Sequence, residues 1–260
     1  MIDWQRKMFI DRADLFLKVM NLRWQATEAL ADAMVRVLAD FGITSGELLD
    51  LCCGNGRVCV HMAKRGFRAT GVDISGPLIE DARRKARENG VSASVRFIEG
   101  DVRHLGEVLG HKVRRFDVVT STWTSIGYSS KDDDLSAFRQ ARDVSREGAV
   151  LIVAETGHAA RWQGRDETSF SDLGDCVMLE EHKFDPITST AKTNWTFYRK
   201  SGSDLIFIDR LSYEVHMYSL GELSELLRSA GWSPVVAYGS LITRQPVTSS
   251  TGLNLVCIAR

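Results

Sequence analysis

Gly46–Glu47–Leu48–Leu49–Asp50–Leu51–Cys52–Cys53–Gly54–Asn55–Gly56–Arg57 is the stretch on which the reading of this 260-residue chain turns. Leu48 to Cys53 reads as a short buried strand. Gly54–Asn55–Gly56 is a turn too glycine-rich to continue it, and Val58, Cys59, Met62 and Ala63 then recur at helical spacing. Strand, glycine turn and helix together present backbone N–H groups to an anionic or polar ligand. Glycine leaves no side chain between backbone and ligand. The pattern approaches GxGxxG without matching it, because Cys59 stands where the last glycine would be.

Upstream, residues 1–43 read as helical. Thr27 to Phe41 is amphipathic, with Leu30, Met34, Val37, Leu38 and Phe41 on one side and Gly42 closing it. The preceding helix carries Trp4, Phe9, Phe16 and Trp24, which either complete the core or form a lid over an open site. Downstream, the strands Arg68–Asp73, Val95–Glu99, Phe116–Ser121 and Ala149–Ala154 are expected, with helices over Pro77–Asn89 and Asp132–Val144. Ser75 caps the first of these, and Asp132, Asp133 and Asp134 read as charges at the N-terminus of the second. Such a βαβ succession makes a parallel α/β sheet. From Glu155 to Tyr213 the pattern changes to three alternating segments, Cys176–Phe184, Thr193–Tyr198 and Leu205–Tyr213, expected as an antiparallel insertion. A helix at Ser219–Ala230 and strands at Trp232–Tyr238 and Leu253–Ala259 return to the first pattern. The expected division is 1–43 (N-terminal helices), 44–155 (ligand-binding core), 156–213 (insertion) and 214–260 (return to the core sheet).

Composition narrows the classes. A formal net charge of -1 supplies no basic field for nucleic acid. No apolar run is long enough to span a membrane, and Met1 to Arg12 lacks a signal-peptide core. Five cysteines is an odd number, and adjacent Cys52 and Cys53 in a strand would point to opposite faces, so they read as small core residues and no metal is expected. Unpaired thiols fit a reducing, cytoplasmic compartment.

In an open parallel sheet, ligands bind beyond the carboxyl ends of the strands. Those ends carry Asp50 and Cys52, Asp73, Asp101, Ser121 and Glu155. Asp73, about 20 residues after the glycine turn, is placed to accept hydrogen bonds from ribose hydroxyls. Asp101 is placed to reach an adenine amine or the nearby loop. With these residues the chain resembles a class I S-adenosylmethionine-dependent methyltransferase of the small-molecule type. Asp50–Leu51–Cys52–Cys53–Gly54–Asn55–Gly56 resembles that family's first motif, with Cys52 where its first glycine belongs. The resemblance implies a Rossmann-like sheet of seven strands in the order 3-2-1-4-5-7-6, the seventh antiparallel, with helices on both faces. It implies S-adenosyl-L-methionine as cofactor, held by Asp50, Cys52, Gly54, Asn55, Gly56, Asp73, Ile74, Asp101, Val102, Ser121 and Trp123. It also implies that the loop Thr124–Tyr128 closes around the sulfonium and shapes the acceptor pocket. Tyr128 and His158 are the catalytic candidates, Tyr128 to orient the acceptor and His158 as a base or as a polar loop residue. Arg161, Trp162 and Arg165 either line the acceptor side or are solvated. The implied reaction is methyl transfer to a nitrogen or oxygen of a small molecule. A methyltransferase acting on RNA or protein and a non-catalytic cofactor-binding protein are the alternatives. An NAD-dependent oxidoreductase is disfavoured by Cys59 and by the lack of an evident Tyr-x-x-x-Lys pair.

Overall fold

The computed structural model describes residues 3–110, 116–123, 125–162 and 167–260. Thr124 and Arg165, named above, lie outside the described residues. The N-terminal segment is broken where one helix is expected. A short helix α1 (Asp3–Arg6) runs into a wide π-helical turn at Lys7–Asp11, and then come α2 (Ala13–Leu22) and α3 (Ala26–Asp40). The core follows as β1 (Gly46–Leu51), α4 (Arg57–Ala63), β2 (Phe67–Asp73), α5 (Gly76–Glu88) and β3 (Val95–Glu99). A 3-10 turn at Val102–His104 leads to α6 (Leu105–Leu109), β4 (Phe116–Thr122), α7 (Lys131–Asp143) and β5 (Ser145–Thr156). The insertion comprises α8 (Ala159–Trp162), β6 (Glu167–Asp172), β7 (Cys176–Asp185), β8 (Thr190–Ser201) and β9 (Asp204–His216). The chain closes with α9 (Leu220–Ser229), β10 (Trp232–Tyr238) and β11 (Leu253–Ala259).

The main sheet has seven strands in the order β3-β2-β1-β4-β5-β11-β10. With β10 and β11 as its sixth and seventh strands this is the expected 3-2-1-4-5-7-6, and β11 pairs antiparallel with both neighbours. Alternation along the strands sends side chains to two helical layers. Leu48, Val118 and Val256 pack with Leu30, Met34 and Leu38 of α3, while Leu49, Val119 and Leu255 pack on the other face with Phe138 of α7 and Leu223 of α9. The sheet order reverses between β1 and β4, and the carboxyl ends there open on the cavity described below.

The insertion forms a separate four-stranded antiparallel sheet, β6-β7-β8-β9, one strand more than expected. The extra strand is the edge strand β6, whose sequence ETSFSD is exposed along nearly its whole length and so lacks a buried apolar alternation to announce it. One face of this sheet packs on the N-terminal segment: Met178, Trp195, Phe197 and Leu211 bury against Met8, Leu15, Phe16 and Val19. Ion pairs clasp the outside of that seam, Lys18 to Asp175 at 2.7 Å and both Lys7 and Arg12 to Asp209.

Candidate active site

β1 ends at Leu51, two residues earlier than the sequence suggests, because Cys52 turns into the left-handed region (φ 53°). The two cysteines therefore lie in the turn, and Cys53 rejoins the sheet by donating its N–H to Val72 O at 3.0 Å. Gly54 (φ 54°) donates its N–H to Asp73 Oδ2 at 2.8 Å. Gly56 (φ 73°) opens α4, and a Cβ there would lie 2.7 Å from Phe97 Cζ and 2.9 Å from Ala82 Cβ. Both glycines are fixed by left-handed backbone and close approach, since a Cβ on Gly54 would meet Met20 Cε at 2.7 Å.

Asp73 is 7% exposed and lines the cavity. Its second oxygen accepts from Ser75 N–H at 2.9 Å. Burial pushes its pKa up, against the lowering by the N–H groups of Ser75 and Gly54. Asp50 lies beneath the turn, 1% exposed and not part of the cavity wall. It accepts from Thr120 Oγ1 at 2.7 Å and from Cys59 Sγ at 3.8 Å, and burial pushes it up to about 7. Asn55 is fully buried and donates its amide to Asn21 Oδ1 at 3.2 Å, so it ties α2 to the turn and does not face the cavity.

Cys52, Gly54, Asp73, Ile74, Asp101, Val102, Ser121, Trp123 and Tyr128 do meet in one cavity at the carboxyl ends of the strands. Past Ile74 and Leu78, one end is closed by Gly100 to Arg103 on one side and by Asp133, Asp134, Ala137 and Phe138 of α7 on the other. Arg103 lies across this end, held by Asp101 and Asp133. Burial works to raise the Asp101 pKa, but hydrogen bonds from Arg103 hold it below the usual carboxylate range. Asp134 lies in the first turn of α7 as expected and is buried there, accepting from Tyr218 OH at 2.7 Å and Gly127 N–H at 2.9 Å. Desolvation pushes it up to about 6.

Another part of the wall is aromatic. Trp123 lies 6.1 Å from Phe16 and 6.4 Å from Trp195, both stacked. Tyr128 packs against Trp4 at 5.2 Å and Phe9 at 5.7 Å, and Gln5 donates to the Tyr128 carbonyl at 3.2 Å. Cys52 (φ 53°), Trp123 (φ 62°) and Glu155 (φ 56°) are three non-glycine residues in left-handed backbone. They sit at the carboxyl ends of β1, β4 and β5, which are neighbours in the sheet. Backbone strain of this kind persists where surrounding contacts over-determine it, and it clusters at functional sites. Glu155 binds Arg57 Nη2 at 2.9 Å, and Arg57, 3% exposed, also reaches Thr27 and Thr122 while lining the cavity.

His158 is not brought to this site. Its ring bonds Thr251 O through Nε2 at 3.0 Å, buried under the final loop and outside the cavity wall. Arg161 is exposed, and Trp162 packs on His182 at 4.7 Å. Among the cavity residues that sequence reasoning missed are Gln5, Met20, Arg57, Arg103, Asp133 and Asp134. Arg57 had a readable signal: a cation in the first turn of a helix opposes the helix dipole and needs a local partner.

Residues 48–148 match a family described as a methyltransferase domain. The putative methyltransferase YqeM of Bacillus subtilis is 29% identical over 108 residues, 41% of each chain. A crystal structure of an S-adenosylmethionine-dependent methyltransferase from Clostridium acetobutylicum aligns with a TM-score of 0.78 at 16% identity, covering 95% of this chain and 99% of that one. Residues 48–148 thus form a methyltransferase domain, and the chain has the fold of the S-adenosylmethionine-dependent methyltransferases. The chain also aligns with the sugar N-methyltransferase KedS8 from a Streptoalloteichus species, with a TM-score of 0.71 at 18% identity over 95% of this chain and 92% of that one. The family match ends within β5, so the insertion and the N-terminal segment lie outside it.

Proposed function

We propose that the chain transfers a methyl group from S-adenosylmethionine to a nitrogen or oxygen of a small molecule, with an amine such as an aminosugar as the favoured class of acceptor. The observation that carries this reading is one cavity whose wall combines acids and backbone N–H groups with aromatic rings packed under the inserted sheet. The residues fit the cofactor. Asp73 can accept from a ribose diol, Ile74 and Val102 offer apolar flanks for adenine, and Gly54 leaves room beside the turn that Met20 now fills. The similarity to KedS8 supports the acceptor class, because it covers 95% of this chain and so extends well beyond the methyltransferase domain.

When bound, the cofactor would supply an electrophilic methyl group on a sulfonium, with sulfur keeping the electron pair of the C–S bond. The protein's part is positioning. Phe16, Trp123 and Tyr128 shield the reacting end from water and hold a flat or ring-shaped acceptor, and Tyr128 orients it. The N-terminal segment acts as the lid: Ser75 Oγ donates to Phe9 O at 2.5 Å, and Asn21 bonds Asn55, so this segment is latched to the cofactor side at two points. The free thiols of the chain, four of the five buried, suit a reducing compartment.

Methyl transfer from labelled S-adenosylmethionine, screened across aminosugars, other amines, phenols and carboxylates, tests the reading. Transfer to an amine or hydroxyl is expected. Transfer only to RNA or protein overturns it. Asp73→Ala removes a charged acceptor of two turn N–H groups as well as the ribose contact, and is expected to weaken S-adenosylhomocysteine binding by about 100-fold in calorimetry. Unchanged affinity would refute the role given to Asp73.

A further inference from the structure

The adenine end of the cavity contains a charge arrangement that the reading above does not use. Arg103 is two residues beyond Asp101 and folds back on it: its backbone N–H donates to Oδ1 at 2.9 Å and its Nε to both carboxylate oxygens at 3.0 Å. Its Nη2 donates to Oδ2 at 2.6 Å, completing a bidentate fork. The remaining arm, Nη1, reaches across to Asp133 Oδ1 at 2.8 Å, on the first turn of α7. Asp133 is in turn fixed by the capping box with Ser130. Asp101, Arg103 and Asp133 all line the cavity.

Such a fork sets the plane of a carboxylate and occupies one edge of it. Oδ1 also accepts from the Arg103 backbone N–H, so the lone pair left for a donor in the cavity is on Oδ2. Two carboxylates around one guanidinium leave a formal charge of minus one, which favours an N–H donor over a carbonyl oxygen at this place. Free aspartate on a loop would rotate between several rotamers and lose that discrimination.

We infer that Arg103 is a positioning residue that locks Asp101 as an acceptor for the exocyclic amine of adenine, so that the site selects an adenosyl over an inosyl cofactor. This rests on the reading of Asp101 as the adenine-facing acid. The roles are unequal: Asp101 touches the base, Arg103 acts through Asp101, and Asp133 steadies Arg103 from α7. The same bridge ties the loop after β3 to α7 and closes that end of the cavity.

Calorimetric titration of S-adenosylhomocysteine and S-inosylhomocysteine into the wild type and Arg103→Ala tests it. The wild type is expected to prefer the adenosyl ligand by at least about tenfold, as a site built around a hydrogen-bonding group does. Arg103→Ala is expected to bring the two within about threefold by weakening the adenosyl ligand alone. Arg103→Lys, which restores charge without the fork, is expected to recover only part of the preference. Should Arg103→Ala fail to fold, Asp133→Asn loosens the guanidinium from outside and is expected to lower the preference to an intermediate value. Equal loss of both ligands in the variants would make Arg103 a structural clasp and overturn the inference. A wild type that binds both ligands equally overturns it through Asp101 while leaving the cofactor reading intact, and a wild type that binds neither removes the cofactor reading as well.

Discussion

The glycine turn and the seam beneath the inserted sheet differ in how their contacts are made. In the turn, Cys53, Gly54, Gly56 and Asp73 are joined by backbone hydrogen bonds among β1, β2 and the helix between them, within about twenty residues of chain. At the seam, Phe16, Trp123 and Trp195 come from three distant segments and meet through ring faces at 6.1–6.4 Å. Backbone hydrogen bonds fix atoms to tenths of an ångström, while apolar contacts fix volume and shape. The first suits a constant cofactor and the second suits an acceptor that varies between enzymes of one fold.

The largest expected effect lies in the seam. Trp195 is 2% exposed, and its Nε1 donates to Glu180 Oε1 at 2.5 Å. Trp195→Ala is expected to cost about 3–5 kcal/mol of stability, lowering Tm by roughly 10 °C, and to reduce turnover of the folded protein. Affinity for S-adenosylhomocysteine at low temperature is expected to stay within about threefold, because the turn does not depend on the seam. If affinity falls in step with turnover, the two regions are one cooperative unit and the contrast between them fails.

A smaller effect belongs to the acid under the turn. Asp50 rises from 3.8 to about 7 through burial. The folded chain therefore keeps a proton that the unfolded chain has released between these values. Its stabilising contribution is complete below pH 3.8 and is lost as pH rises to 7, on the order of a few kcal/mol. Asp50→Asn keeps an acceptor for Thr120 and does not titrate. Thermal unfolding from pH 4 to 8 is expected to show a steeper decline for the wild type than for this variant. Parallel profiles would mean that Asp50 remains ionised in the fold.

The smallest effect concerns Cys52. Left-handed backbone costs a non-glycine residue about 1–2 kcal/mol, partly offset by the entropy glycine adds to the unfolded chain. Cys52→Gly is expected to raise Tm by roughly 2–4 °C and to leave cofactor affinity unchanged or better. A loss of stability would show that the thiol packs well enough to outweigh the strain.

How far the site was readable follows the same division. Asp73, Ile74, Asp101 and Val102 could be placed because each directly follows a strand whose apolar run is visible in sequence, and strand ends converge in a parallel sheet. His158 follows β5 in the same way, yet it turns away to Thr251 because Glu155, in left-handed backbone, redirects the chain. Arg103 and Asp133 are 30 residues apart, and no local pattern in either reports the other. The four strands of the insertion were only partly legible, since an exposed edge strand carries no apolar period.

By itself, then, the sequence determined the alternation of strands and helices, the glycine turn and the acids at the strand ends, because hydrophobic periodicity and backbone stereochemistry act over a few residues. The tertiary structure alone decided that α2 lies on Gly54, that Arg57 reaches Glu155 across the strand ends and that Arg103 binds two acids at once. Those contacts join residues from about 30 to 100 positions apart, apart from the short reach of Arg103 to Asp101. They exist only once packing of the apolar faces has set the distances between elements, and the charges then pair where the cavity leaves them within reach.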